Sequence, residues 1–159
     1  MAQSTVTDEE LDALIRRTAE AASALIRGDV RRYFALLPHA DDFTLMNPFG
    51  GDPTRGFDAS PTRLEAQERF FTGPGEAELE VVQAYASGDL AVLAVVERQH
   101  GAVGGLPEQD WSLRVTLVFR REGAEWRLAH RHADPLVHPI GLEQLAALAR
   151  GGSPSSGGA

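Results

Sequence analysis

The sequence predicts an α+β domain in which helices come first and a meander of long strands follows. Up to about residue 71 most apolar residues recur at helical spacing, whereas after a turn at residues 72–75 they alternate with polar residues. Helices segregated from an antiparallel sheet are typical of the α+β class. We expect a cone-shaped fold, with three N-terminal helices packed in the concavity of a strongly curved antiparallel sheet and a pocket inside. The 159 residues amount to about one domain.

The first two predicted helices follow one another closely. Thr7 and Glu10 have the spacing of a capping box, which starts a long helix that ends at Gly28. Asp29 caps a short second helix, which Pro38 stops. The apolar face of the first helix is built from residues at helical spacing: Leu11, Leu14, Ile15, Thr18, Ala22, Leu25 and Ile26.

A short strand and a third helix come next. Phe43 and Leu45 alternate with polar neighbours in a strand that ends at Asn47-Pro48. The residues before the strand, His39 to Asp42, follow a proline and are interpreted as a turn. A glycine-rich loop leads to Ser60-Pro61, a cap followed by proline at the first helical position, which predicts a helix over residues 61–71.

Four long antiparallel strands complete the domain. They are predicted at residues 77–87, 90–100, 109–121 and 125–133, with hairpin turns at Gly88-Asp89 and Glu122-Gly123. Residues 7–140 thus form the domain, residues 1–6 a flexible N-terminus, and residues 141–150 a possible C-terminal helix. Residues 151–159 are expected to be a disordered Gly/Ser tail.

Composition excludes several kinds of chemistry. The chain has no cysteine, and all 15 of its cationic residues are arginines. Thiol nucleophiles, thiolate metal sites, disulfides and Schiff bases are therefore excluded. A net charge of −8 argues against a nucleic-acid partner, which requires clustered positive charge. Because neither a signal-peptide core nor an apolar run of membrane-spanning length is visible, we expect a cytoplasmic protein with no membrane partner.

The order of elements resembles the SnoaL-like group of the nuclear transport factor 2-like superfamily. The resemblance covers residues 7–136 and rests on that order, on Asn47-Pro48 after the first strand, and on the last strand, where Trp126 leads to His130-Arg131-His132 and Asp134. The same scaffold serves isomerases, cyclases, hydrolases, binding modules and oligomerisation domains.

The resemblance to ketosteroid isomerase, a member of this superfamily, does not extend to its catalytic residues. The position of its proton-shuttling aspartate matches Asn47, and an amide cannot take up a proton at neutral pH. Its tyrosine falls near Ala21 and its protonated aspartate near Val115. Ketosteroid isomerase chemistry is therefore not expected.

Two other relatives compare better. The resemblance to limonene epoxide hydrolase matches its arginine and one aspartate to Arg98 and His100, its second aspartate to His132, and its water-positioning asparagine to Asn47. The tyrosine of its water site is replaced by Leu45. SnoaL-type polyketide cyclases have a histidine followed by a Gly-rich loop that is similar to His100 and the residues after it, although their aspartate falls near Arg114.

The alternation of strand residues places Arg98 and His100 on one face, and Trp126, Leu128, His130 and His132 on one face of the last strand. If both faces line the cone, these side chains converge. We therefore predict a catalytic set in which each residue has one role: His132 as base, His100 as acid or oxyanion donor, Arg98 as bridge and charge stabiliser, and Asn47 as orienting amide. The candidate substrate contacts are His130, Trp111, Asp134 and Phe49.

The alternative roles of these residues stay open. Structural polar residues near the mouth of the sheet would show the same pattern, and His130, His132 and Asp134 also have metal-ligand spacing. The family generally works without a metal, so no metal and no organic cofactor are predicted.

The functional expectation is an isomerase, cyclase or hydrolase that uses histidines for general acid–base chemistry on a hydrophobic, oxygenated small molecule. A non-catalytic ligand-binding or dimerisation module of the same fold is the alternative, favoured by the absence of carboxylates at the family's catalytic positions. The resemblance also implies a homodimer that pairs through the outer face of the sheet.

Overall fold

A computed structural model describes residues 5–152. Its elements, in chain order, are helices α1 (Asp8–Ile26) and α2 (Val30–Leu36), strands β1 (His39–Met46) and β2 (Thr54–Arg55), helix α3 (Pro61–Phe70), strands β3 (Phe71–Ser87), β4 (Leu90–Val103), β5 (Gln109–Asp110), β6 (Leu113–Glu122) and β7 (Glu125–Asp134), and helix α4 (Leu142–Ala149). Most of the predicted flexible N-terminus and Gly/Ser tail lies outside the described residues. Within residues 5–152, no helix combines the length and apolarity that a membrane crossing requires.

The helices begin where the sequence predicts them. The Thr7 hydroxyl accepts a hydrogen bond from the backbone N–H of Glu10, whose carboxylate accepts one from the N–H of Thr7. α1 packs against α2, β3 and β4. α3 contacts α2 and β3 and buries none of its own side chains. Among these three helices, α1 therefore makes most of the contact with the sheet, and α2 packs against α1.

The sheet is mixed, and its main path runs β2-β1-β7-β6-β4-β3, with β5 paired to β4. The predicted meander of β3, β4, β6 and β7 is antiparallel, as expected. β1, however, pairs parallel to β7. No hairpin joins these two strands in sequence, so turn geometry does not fix their relative direction. The predicted curvature of the sheet stays a prediction.

Two strand boundaries differ from those predicted. β3 already begins at Phe71, and the residues expected to form a turn are an irregular stretch of its pairing with β4. A Cβ at Gly75 would lie 3.0 Å from Ile26 Cγ1, so glycine here lets the end of α1 approach the strand. The predicted strand over 109–121 is divided into β5 and β6 at Trp111, where Asp110 accepts a hydrogen bond from the backbone of Ser112.

The core lies between α1 and the face of the sheet that we call the inner face, defined by Leu93, Leu117 and Leu128, none of which has any exposed surface. Leu14 of α1 packs into the same cluster. The opposite face is the outer face. Alternation along each strand decides which side chains reach the inner face.

A β-bulge interrupts this alternation in β7. Val118 pairs with His130 and Phe119 with Leu128, so Ala129 is an extra residue without a partner on β6. The side chains after the bulge change faces: Arg131 and Ala133 follow Leu128 inward, whereas His132 is exposed. The prediction that Leu128, His130 and His132 share one face is therefore wrong.

Candidate functional site

A cavity of about 530 Å³ lies between α2, β1, α3 and the inner face of the sheet. Its apolar wall combines five aromatic side chains with leucines from α1 and β1: Tyr33, Phe34, Phe43, Phe57, Phe71, Leu25 and Leu45. A groove of about 580 Å³ between α1 and β3 is larger but is lined by exposed charged residues such as Arg16 and Glu20. Small-molecule sites are mostly apolar with a few placed polar groups, so the aromatic cavity is the candidate site.

His39 is the histidine of this cavity. Only 4% of its surface is exposed, and its ring lies 4.4 Å from that of Phe43 and 4.9 Å from that of Phe57, measured between centroids. Its Nδ1 lies 2.7 Å from the carbonyl oxygen of Leu37. Because a carbonyl can only accept, Nδ1 carries the proton, and Nε2 presents a lone pair. Nε2 has no hydrogen-bond partner among residues 5–152.

Burial disfavours the charged imidazole and lowers the pKa of His39 from 6.5 to about 4, against the opposing effect of the Leu37 carbonyl. The nearby Arg131 guanidinium lowers this pKa further. His39 is therefore neutral at physiological pH, and its Nε2 is an unprotonated hydrogen-bond acceptor.

Arg131 and Glu97 form a buried ion pair beside the cavity. Nη1 and Nη2 donate to the two carboxylate oxygens at 2.8 and 2.9 Å, and the side chains are 12% and 5% exposed. Burial opposes the charge of Arg131, but the Glu97 carboxylate keeps its pKa above the usual value. Arg131 lines the cavity, and the ion pair uses only its Nη1 and Nη2. Its Nε–H therefore has no partner in the described part of the chain.

Tyr33 lies next to this ion pair. Burial raises the pKa of its hydroxyl, while the opposite charges of Arg131 and Glu97 act on it in opposite directions. The hydroxyl thus stays protonated and remains a donor. Tyr33 lines the cavity, and its hydroxyl has no hydrogen-bond partner among residues 5–152.

Gln67 of α3 also lines the cavity. Its side-chain oxygen Oε1 is sealed from solvent and has no hydrogen-bond partner within the described chain. Buried polar atoms without partners are rare in native proteins. Charged residues complete the lining: Asp41, Arg55, Asp58 and Arg63.

Arg98, His100 and His132 do not meet in this cavity. Arg98 Nε lies 2.8 Å from a Glu80 carboxylate oxygen, and His100 Nδ1 lies 3.2 Å from one of Glu108. The side chains of Arg98 and His100 are 47% and 57% exposed. Their neighbour Glu97 is buried on the inner face, so alternation turns them outward. Arg98 and His100 share one face, as predicted, and both line a surface groove of about 450 Å³. His132 does not line that groove, so the predicted convergence of all three in an enclosed pocket is wrong.

The remaining candidates also lie outside the cavity lining. His130 Nδ1 is 2.7 Å from the Thr44 hydroxyl, and both side chains belong to the outer face. Asp134 accepts two hydrogen bonds from Arg114 at 2.9 and 3.0 Å. Within residues 5–152, no group of three or more histidine and carboxylate side chains is arranged to hold a metal.

Local hydrogen bonds account for Asn47, Phe49 and Trp111. The Asn47 side-chain oxygen accepts from the backbone of Phe49 at 3.0 Å, a turn contact, and Phe49 is 78% exposed. The Trp111 indole donates to the carbonyl of Gly101 at 3.0 Å, which holds the segment after β5 against β4.

Four residues of the cavity region are not among the site residues predicted from the sequence: His39, Glu97, Arg131 and Gln67. Glu97 carried a usable signal, since it continues the alternation of Leu93 and Val95 and is therefore a charge on an apolar face. His39 lies in β1, which begins directly after Pro38, so its interpretation as part of a turn is wrong. No comparable signal marks Gln67.

The chain is similar to known proteins in both sequence and structure. A family model described as the SnoaL-like domain matches residues 14–137. A nuclear transport factor 2-like protein of unknown function from Pseudomonas putida shares 27% identity, with a TM-score of 0.66 over 90% of this chain and 94% of that chain. A comparison with curated proteins finds no match.

Other similar structures include two provisionally assigned dehydratases. One, of the nuclear transport factor 2-like family from Streptomyces avermitilis, is 23% identical with a TM-score of 0.60, covering 82% of this chain and 96% of that chain. The other, a provisional scytalone dehydratase from Novosphingobium aromaticivorans, is 16% identical with a TM-score of 0.63, covering 79% and 83%. These two likenesses show the fold, an α+β nuclear transport factor 2-like domain.

Proposed function

The chain belongs to the SnoaL-like family, and from this premise we propose that it is an enzyme that performs acid–base chemistry on a small, apolar, oxygenated molecule in the aromatic cavity. The observation that carries the proposal is the neutral His39, whose unprotonated Nε2 has no partner in the described chain and whose ring lines this cavity. The role predicted for His132 passes to His39, because His132 is exposed on the outer face.

The proposed reaction begins with a proton on carbon. Nε2 of His39 removes a proton from a carbon next to a carbonyl, and the electron pair of the broken C–H bond moves toward the carbonyl oxygen. The Nε–H of Arg131 and the hydroxyl of Tyr33 donate hydrogen bonds to the enolate oxygen that forms. Glu97 keeps the guanidinium in place through two hydrogen bonds.

The imidazolium then returns its proton. Delivery to a different carbon completes an isomerisation, and delivery to a β-hydroxyl that leaves as water completes a dehydration. An imidazole whose conjugate acid has a pKa of about 4 is a weak base, so the carbon acid must be activated by a carbonyl. The similarity in fold to provisionally assigned dehydratases supports the dehydration variant.

Solvent deuterium exchange tests the proposal without knowledge of the natural substrate. Cyclic ketones and β-hydroxy ketones are incubated with the protein in D₂O, and deuterium incorporation at carbon is followed by NMR. We expect His39→Phe, which keeps an aromatic ring, to lower exchange by roughly 100-fold or more, the usual contribution of a general base.

The exposed histidines provide the matched controls. His100→Ala and His132→Ala should exchange deuterium at the wild-type rate. If deuterium exchange keeps the wild-type rate in His39→Phe but is lost in His132→Ala, the general base is His132 on the outer face and not His39.

A second candidate is a non-catalytic ligand-binding or dimerisation module. It is favoured by exposed apolar side chains on and beside β3, where Val82 and Tyr85 are 64% and 57% exposed and Leu90 follows at the start of β4. A homodimer through the sheet, which light scattering measures, is part of this proposal. Ligand binding without any carbon-bound exchange in the wild-type protein would favour the module over the enzyme.

A further inference from the structure

We propose that Gln67 selects the ligand of this cavity by accepting a hydrogen bond from a hydroxyl group on a flat aromatic molecule. The proposal rests on the proposed function for the location of the site, since it concerns the same cavity. It adds a specificity-determining residue and a ligand class, an aryl alcohol.

The side-chain oxygen of Gln67 has no hydrogen-bond partner within residues 5–152. An acceptor that is closed off from water and lacks a partner raises the free energy of the folded protein, because the hydrogen bond made to water in the unfolded chain is not replaced. Over residues 5–152, Gln67 Oε1 shares this condition only with two nitrogens of Arg121, which is held by Glu10 and lies remote from the cavity lining.

The amide group of Gln67 can rotate. Gln67 is half-buried, and the helix that carries it, α3, buries none of its side chains. A half-turn about the last bond of the side chain exchanges the positions of the amide oxygen and nitrogen, and this rotation breaks no hydrogen bond made by that oxygen. A ligand that donates to Gln67 therefore supplies the hydrogen bond that this oxygen lacks in the described chain.

The apolar wall of the cavity is mostly aromatic. Phe34 and Phe57 have ring centroids 5.2 Å apart, and His39 lies 5.0 Å from Phe34 and 4.9 Å from Phe57. Such walls favour flat ligands, which offset-stack or meet ring edges. The hydroxyl of an aryl alcohol satisfies Gln67 while its ring fills the aromatic part of the cavity.

The test measures binding of 2-naphthol and 2-methoxynaphthalene, which share a ring system but differ in the donor, by isothermal titration calorimetry. Wild-type protein should bind 2-naphthol about tenfold more tightly, the effect expected of one buried hydrogen bond. In Gln67→Met, which keeps the length of the side chain and removes the amide, the two affinities should agree within roughly twofold. If 2-methoxynaphthalene binds less tightly only because its methyl group is larger, the difference in affinity persists in Gln67→Met. The variant thus separates this steric effect from the loss of the hydrogen bond.

Gln67→Glu is the conservative control, since a carboxylate accepts but cannot donate, and it should keep the preference for 2-naphthol. Gln67→Met should melt no lower than wild type because it removes an unpaired buried atom. A preference that persists unchanged in Gln67→Met would overturn the proposal, as would failure of both naphthalenes to bind below about 1 mM.

The outcome is distinguishable from that of the proposed function. His39→Phe leaves Gln67 in place, so it should retain the 2-naphthol preference while losing deuterium exchange. If exchange survives in His39→Phe but the preference depends on Gln67, the catalytic proposal fails and the ligand assignment stands. A preference lost in His39→Phe but retained in Gln67→Met would assign the hydroxyl to His39 instead.

Discussion

Arg131 shows at the scale of a residue how a charge enters an apolar interior. It can lie on the inner face because Glu97, on β4, meets its guanidinium with both carboxylate oxygens. Such pairs add little net stability over apolar residues, but the loss of one partner is costly because the other charge stays buried. The pair thus restricts which single substitutions the protein tolerates.

Arg131→Met should lower the free energy of unfolding by about 3–5 kcal/mol, since the carboxylate of Glu97 is left buried without its partner. Urea unfolding measures the change. Arg98→Met is the matched control, because it breaks an exposed pair with Glu80 and should cost no more than about 1 kcal/mol. The double variant Arg131→Met/Glu97→Leu should recover most of the loss, and equal costs for the two single variants would refute this account.

Elements, unlike single side chains, could largely be predicted from the sequence. The caps at Thr7, Asp29 and Ser60 each start a helix, because a side-chain oxygen satisfies a free backbone N–H at a fixed distance along the chain. Strand alternation likewise placed β4 and β6. The prediction of the candidate site was wrong in β7, because strict alternation assumes a strand without a bulge. The extra residue, Ala129, has no local sequence signature.

The junction of α1 with β3 depends on Gly28. Its φ of 83° lies in the left-handed region, and a Cβ there would come within 2.8 Å of the carbonyl oxygen of Phe71. Gly28→Ala should therefore destabilise the protein by more than the roughly 1–2 kcal/mol that the backbone conformation alone costs.

Gly123→Ala isolates the conformational part of that cost, since Gly123 also has a positive φ but nothing lies within 4 Å of its Cβ position. Thermal and urea unfolding of both variants should show the Gly28 change to be larger by about 1–3 kcal/mol, as for other overpacked sites. Similar losses at the two positions would mean that the end of α1 yields to the added methyl group.

For the whole molecule, His39 links folding to pH. Below pH 6.5 the unfolded chain binds a proton at His39 that the folded protein does not accept until about pH 4. Unfolding therefore takes up a proton in this window, and stability falls as the pH falls from about 6.5 to about 4. A shift of this size corresponds to about 3 kcal/mol.

His39→Phe should remove that part of the pH dependence, so that the difference in unfolding free energy between variant and wild type changes by about 3 kcal/mol between pH 7 and pH 4. Urea unfolding at a series of pH values measures it. Carboxylates such as Asp42, whose pKa its ion pair with Arg120 lowers, lose their contribution at lower pH and do so in both proteins. A parallel course of the His39→Phe and wild-type curves would contradict the linkage.

The bulge at Ala129 makes a single residue decide which of two chemistries the sheet offers to the cavity. Deletion of Ala129 would remove the bulge and leave Arg131 on the inner face, whereas a straight strand that keeps Ala129 would exchange the guanidinium of Arg131 for the imidazoles on either side of it. A one-residue change of register after Leu128 can thus convert an arginine-lined interior into a histidine-lined one without altering any functional side chain. In a scaffold reused for many reactions, such a shift of register is a short evolutionary path between activities.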